Sequence, residues 1–415
     1  MHALSTALST LITITALAAP TRPLTFEKKI LTGEYWCDGI NAADVNGDGF
    51  PDIIAGPFWY AGPSFQRRYS FYEPVPQPLE EKPTNSMFTF PYDFNGDGRV
   101  DILVLGRVLF HEAYWYENPG KTVAQQPDAR WKKHLVSNRV FGESPLFEDV
   151  DGDGKPELVS ISGTTANDKI KQWGWYTPDW SDPTKPWRFV PITEKGDFNH
   201  YYHGEGIGDI NGDGRADLVL NEGWWEQPPK GAPAGTLWKK HPFVLSEDRG
   251  GAQILVYDVN GDGKNDLITA KNAHGWGLSW FEQTRAANGE ISFIEHKMMG
   301  TREEESRYGV AFSQPHALAL ADLNGDGLAD VVTGKRRWAH GPKGDIEPMA
   351  TPVNYAFILR RDPAAAGGAT FTPQLIDDAS ALGTQVVAID VNGDRVPDVL
   401  TASKLGAFVF ITKKP

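Results

Sequence analysis

"DVNGDGFPD", Asp44 to Asp52, sets acidic or amide side chains at its first, third, fifth and ninth positions and glycine at its fourth and sixth. The chain writes it seven times: DFNGDGRVD at 93–101, DVDGDGKPE at 149–157, DINGDGRAD at 209–217, DVNGDGKND at 258–266, DLNGDGLAD at 322–330 and DVNGDRVPD at 390–398. Ca²⁺ takes six to eight oxygens at about 2.3–2.6 Å, and alternate carboxylates and amides on a tight loop supply them. The expected ligands are Asp44, Asp93, Asp149, Asp209, Asp258, Asp322 and Asp390 at position one, with Asn46, Asn95, Asp151, Asn211, Asn260, Asn324 and Asn392 at position three. Position five adds Asp48, Asp97, Asp153, Asp213, Asp262, Asp326 and Asp394; position nine adds Asp52, Asp101, Glu157, Asp217, Asp266, Asp330 and Asp398. Up to seven Ca²⁺ ions follow, with the seventh in question because Arg395 replaces the turn glycine. An EF-hand would need Glu at position twelve, where this chain has Ala55 and Ser160.

Short apolar runs flank each copy, such as "AQILVY" before and "LITA" after the fifth, so the unit reads strand, loop, strand. A third strand carries aromatic pairs ("YWYENPG", "GWWEQPP", "LSWFEQ") and a fourth reads like "WKKHLV". Four strands per unit at spacings of 49 to 68 residues predict an all-β, seven-bladed β-propeller with four antiparallel strands per blade. After the last motif the chain supplies only two more strands, while "LTFEKKILTG" near the N-terminus looks like the missing one. Joining that N-terminal strand to the C-terminal blade would close the ring and cover an exposed edge.

These repeats resemble the FG-GAP/VCBS-like repeats of integrin-alpha-type and bacterial extracellular propellers. The resemblance implies a propeller with Ca²⁺ in its blade loops, in a family that serves adhesion, binding and sugar chemistry alike.

Residues 1–18 form an apolar stretch ending in a small-x-small pattern, a signal peptide without a basic residue near Met1, leaving 19–415 as one propeller and implying a secreted or periplasmic protein. No other stretch is apolar and long enough to span a membrane. The single Cys37 excludes an internal disulfide, and a net charge of −14 argues against nucleic acid as partner. A monomer is expected.

First-to-second loops hold the motifs, so unrepeated chemistry belongs to the opposite face. Six residues before each motif stand Asp38, Met87, Glu143, His203, Ala252, His316 and Thr384, which should ring one end of the central channel. Loops of that face add Arg107, His111, Lys271, His274, Lys335, Arg337, Trp338 and His340, and Tyr202. The large aromatics of strand three serve packing between blades. His203, His316, Tyr202, Lys335 and Arg337 are the expected catalytic group, with Arg107, His111, Lys271, His274, Trp338 and His340 binding substrate. Such a pocket suits a carbohydrate, an acidic or keto sugar undergoing elimination by a lyase or dehydratase: a base takes a proton beside a carbonyl and cations stabilise the enolate. A further divalent metal on His203, His316 and Glu205 or Glu143 is an alternative use of the same residues. A non-catalytic carbohydrate- or protein-binding, adhesion module is the rival reading.

Overall fold

The computed structural model describes residues 23–79, 84–106, 112–120, 129–163, 170–246 and 250–413. The expected leader, Arg107 and His111 lie outside these residues. Seven four-stranded antiparallel sheets account for the strands described. In blade one the order is Ile40–Ala43, Asp52–Ala55, Phe58–Tyr60 and Arg68–Ser70, and five further blades repeat this order along the chain. The seventh blade departs from it: Val386–Ile389, Asp398–Ser403 and Gly406–Lys413 are completed by Thr25–Thr32. Thr25 pairs with Lys413 and Thr32 with Ala407, so the ring closes between its two ends as the strand count requires.

First strands touch the first strands of neighbouring blades and form the inner wall. Side chains alternate across each strand, so consecutive residues pack in different blade junctions. Ile53 joins the apolar cluster shared with blade seven, whereas Ile54 joins the cluster shared with blade two. Seven such clusters occupy the seven junctions. Trp59, Trp115 and Trp173 of the third strands are fully buried there, each worth roughly 2–3 kcal/mol of transfer free energy. No helix among the described residues is long and apolar enough to cross a membrane.

Each motif loop is wrapped round its first carboxylate. Asp44 Oδ1 accepts the N–H groups of Gly47 and Asp48, and Oδ2 that of Gly49, at 2.8–3.0 Å. The turn needs a positive φ at position six, 89° at Gly49. Arg395 takes φ 67° and still donates its N–H to Asp390, so the seventh loop keeps the shape without glycine. Position nine is fully buried: Asp330 accepts the N–H of Leu323 and of Leu359, and Asp101 those of Phe94 and Asn118. It therefore ties the loop to the end of strand three. Burial raises these carboxyls, Asp52 to about 6, Asp101 and Asp330 to about 7 and Glu157 to about 8.

Candidate functional site

The ring of residues that opens the inner strands divides into two interleaved groups. From blades two, five and seven, Met87 and Ala252 are buried, Gln385 Oε1 accepts the N–H groups of Ile40 and Thr89, and Gln253 reaches across from blade five to the Thr384 carbonyl. That group is packed and satisfied. The other group gathers Asp38, Glu143, His203 and His316 from blades one, three, four and six, all nearly or fully buried.

Glu143 Oε2 stands 3.2 Å from His316 Nε2 and 3.3 Å from His203 Nε2, so blades three and six meet across the ring axis. His316 Nδ1 donates to the Ala273 carbonyl at 3.1 Å, which leaves the Nε2 lone pair facing inward. Arg336 donates to that nitrogen at 2.6 Å, and the same guanidinium lies 3.7 Å from Glu143 and 3.8 Å from Asp38. Burial would raise the Glu143 carboxyl, but His203 and His316 hold it well below the usual range. Burial and Arg336 push the His316 imidazole well down, which keeps it neutral.

His203 is 1% exposed, and neither of its ring nitrogens meets hydrogen-bond geometry, the Glu143 contact included. Its backbone is fixed instead: Asn221 Nδ2 donates to its carbonyl at 2.6 Å. Gly204 follows at φ 85°, where a Cβ would stand 2.7 Å from the Asn221 amide. His274, partly exposed, completes the group. The rings of His203, His274 and His316 lie 4.9–5.2 Å apart and steeply inclined, and one nitrogen from each falls within 4.8 Å of the others.

Two smaller assemblies border this cluster. His340 Nδ1 bonds Asp345 at 2.8 Å, with its ring 4.7 Å from His274. Burial opposes ionisation of Asp345, but His274 and the N–H groups of His340 and Ala339 hold its carboxyl well below the ordinary value. On the far side Asp38 accepts the Tyr35 hydroxyl at 2.8 Å, and Tyr35 receives Lys404 Nζ at 3.0 Å. Burial lowers Lys404 to about 8. Taking Asp38, Glu143, Asp345, Arg336 and Lys404 together leaves one formal negative charge beside the imidazoles, a setting that favours a cation.

The expected pocket residues divide accordingly. His203, His316, His274 and His340 converge. Lys335 is buried and donates to Ser313 Oγ at 2.9 Å, Arg337 lies on the Trp338 ring, and Trp338 donates to the Leu79 carbonyl. Tyr202 faces away, its hydroxyl on Glu222, and Lys271 pairs with Glu295 at 3.2 Å. In two of these places neighbours at a strand end diverge: His203, before the strand Glu205–Gly208, and Arg336, after Asp330–Lys335, point inward, whereas Tyr202 and Arg337 beside them do not. Arg336, Asp345, Tyr35 and Lys404 escape a sequence reading, since only their distant partners mark them. "GKRR" carried a weak signal, with two adjacent arginines and one inward position.

Among the motif loops, the third offers the best cation fit. Asp149, Asp151 and Glu157 bring one oxygen each within 4.8 Å, and Glu157 Oε1 is buried without a hydrogen bond. In the second, fourth and fifth loops a basic residue at position seven already pairs with position five: Arg99 with Asp97, Arg215 with Asp213 and Lys264 with Asp262.

Residues 93–160 and 258–333 match the FG-GAP-like repeat family. No curated protein matches the chain. Among solved structures it aligns with that of BBS1N in complex with ARL6DN, at TM-score 0.44 and 8% identity over 94% of this chain and 97% of that one. It also aligns with the Photorhabdus luminescens Tc holotoxin pore, at TM-score 0.37 and 15% identity, over 88% of this chain and 16% of that one. Two stretches that match the family, within seven blades of one motif and one strand order, make this chain an FG-GAP-repeat β-propeller protein.

Proposed function

We propose that the buried mouth of the ring holds a divalent transition cation and acts on a carbohydrate, eliminating from an acidic or keto sugar, in an exported propeller whose motif loops take Ca²⁺. The observation that carries it is the convergence of three imidazoles on one point beside a carboxylate, with both His203 nitrogens unbonded. His203, His274 and His316 with Glu143 would form an N₃O donor set in which the cation takes the His316 Nε2 lone pair that Arg336 now occupies, and the Ala273 carbonyl orients His316 as carbonyls behind metal-bound histidines orient them. Tetrahedral Zn–N bonds near 2.0–2.1 Å would need nitrogens about 3.4 Å apart, so Zn²⁺ would have to draw these rings together. A cation there supplies Lewis-acid polarisation of a carbonyl or carboxylate oxygen.

The remaining steps belong to the chain. His340, held by Asp345, has the base-and-orienter arrangement needed to take a proton beside the polarised group. Arg336 lies under the cluster as a fixed positive charge for the developing enolate. Among the motif loops the third is the strongest Ca²⁺ candidate, through Glu157 Oε1.

The test is calorimetric titration of chelator-treated protein with Zn²⁺ and Mn²⁺, followed by ultraviolet detection of unsaturated products from uronates and keto sugars. Binding of one cation that His274→Ala weakens at least tenfold, with product formed, is expected. Cation binding without product from any sugar would reduce the site to a binding module, and no cation binding at the cluster would remove the reading.

A further inference from the structure

A second cleft opens on the same face as the histidine cluster, formed by loops of blades two and three. It encloses about 360 Å³ and is lined by Arg139, Ser162, Lys171, Gln172, Phe189 and Lys195 among its residues. Among the described residues three cations and no carboxylate line it, in a chain whose net charge is −14. Arg139 and Lys195 are exposed and make no ion pair among the described residues, while Lys171 is 2% exposed and held with its Nζ 5.6 Å from the Phe141 ring. The position of the cleft ties it to the cluster. Strand Val140–Glu148 begins beside Arg139 and carries Glu143 four residues later, at most about 13 Å along an extended strand. His200 ring-packs on Phe141, so one strand end connects the cationic cleft to the carboxylate between His203 and His316.

We infer that this cleft is an anion-binding subsite for a neighbouring unit of an acidic oligosaccharide, so that the substrate at the ring mouth is a polymer bearing repeated carboxylates and not a free sugar. The inference rests on the carbohydrate reading of the mouth and specifies its substrate. Arg139 and Lys195 reach a carboxylate from solvent, Lys171 supplies fixed charge from beneath, and the Phe189 edge with Gln172 gives the mixed apolar and polar surface a pyranose contacts.

The experiment is calorimetric titration with a uronate tetrasaccharide, with a neutral tetrasaccharide of the same length and inorganic sulfate as controls, on wild type, the Arg139→Ser/Lys195→Ser double variant and His274→Ala. Both replaced side chains are exposed, so folding is retained, and a thermal melt verifies it. The uronate should bind wild type with an affinity that falls as salt rises, lose at least tenfold in the double variant, and lose less in His274→Ala, which alters the ring mouth and leaves the cleft intact. Neutral sugar binding equally well, sulfate binding as tightly as the tetrasaccharide, or an unchanged affinity in the double variant would each overturn the inference. Uronate binding that depends on Arg139 and Lys195, without any elimination product, would sustain the subsite and overturn only the proposed reaction.

Discussion

Arg336 and Arg337 are adjacent in sequence and opposite in circumstance. Arg336 is 2% exposed and stands between Asp38, Glu143 and His316, whereas Arg337 is partly exposed and lies against Trp338. Removing one partner of a buried ionic group leaves the others uncompensated. Arg336→Met should therefore cost about 3–5 kcal/mol in urea unfolding, and Arg337→Met less than about 0.5 kcal/mol. Equal losses would mean that the Arg336 network carries no stability. The same one-residue difference separates His203 from Tyr202. In both places sequence located the segment, since unrepeated polar residues stand out against a repeated frame, but the inward side chain is chosen by the local backbone at the strand end. Lys335 shows a related effect. Burial lowers its pKa from 10.5 to about 8, as it does that of Lys404. Between those values the unfolded chain binds more protons than the folded one, so stability rises with pH from about 8 to about 10.5. Melting temperature measured against pH should rise through this window in wild type, and the Lys335→Met variant should lose part of that rise.

At the scale of the element, the motif loop does two jobs that a sequence cannot separate. Spacing identifies oxygens, and positions one, three and five are those left near solvent. Position nine carries the same functional group, yet its lone pairs serve backbone N–H groups across the blade. Asp330→Ala would leave the buried N–H groups of Leu323 and Leu359 without acceptors, a loss of about 2–5 kcal/mol. Asp326→Ala, at exposed position five, should change stability by less than about 1 kcal/mol when both are unfolded by urea in excess chelator. Comparable losses would show that position nine is no more structural than position five. A second device joins blades and has no signature of its own. The residue that closes strand three sends its side chain to the preceding blade's loop: Asn118 to the Val45 carbonyl, Gln227 to Val150, Gln283 to Ile210 and Arg361 to Val259. Three different residue types perform this one contact, which hides it from any search for a repeated letter.

For the molecule as a whole, seven like blades and seven junction clusters carry apolar packing round the whole ring, and architecture was legible because the same motif had to be spelled at each corner. What was hidden is the asymmetry at the axis, where three blades contribute packed groups and the other four an ionic cluster, because contacts such as Glu143 with His316 join residues 173 positions apart. Ca²⁺ binding only to the folded ring should raise its melting temperature, by about 5 °C or more at saturation, and a chelator should reverse the rise. An unchanged melt would argue that the loops hold their shape through backbone bonds alone. The seam of the ring has a mechanical consequence. Thr25 and Lys413 are paired at the same end of the closing strands, about 5 Å apart. Joined by a short linker and cut between any two other blades, the chain would be a circular permutant with every sheet neighbour intact. Pulled by its two ends, it would meet the load at the first rung of one ladder, and the ring would unzip there bond by bond instead of resisting in shear.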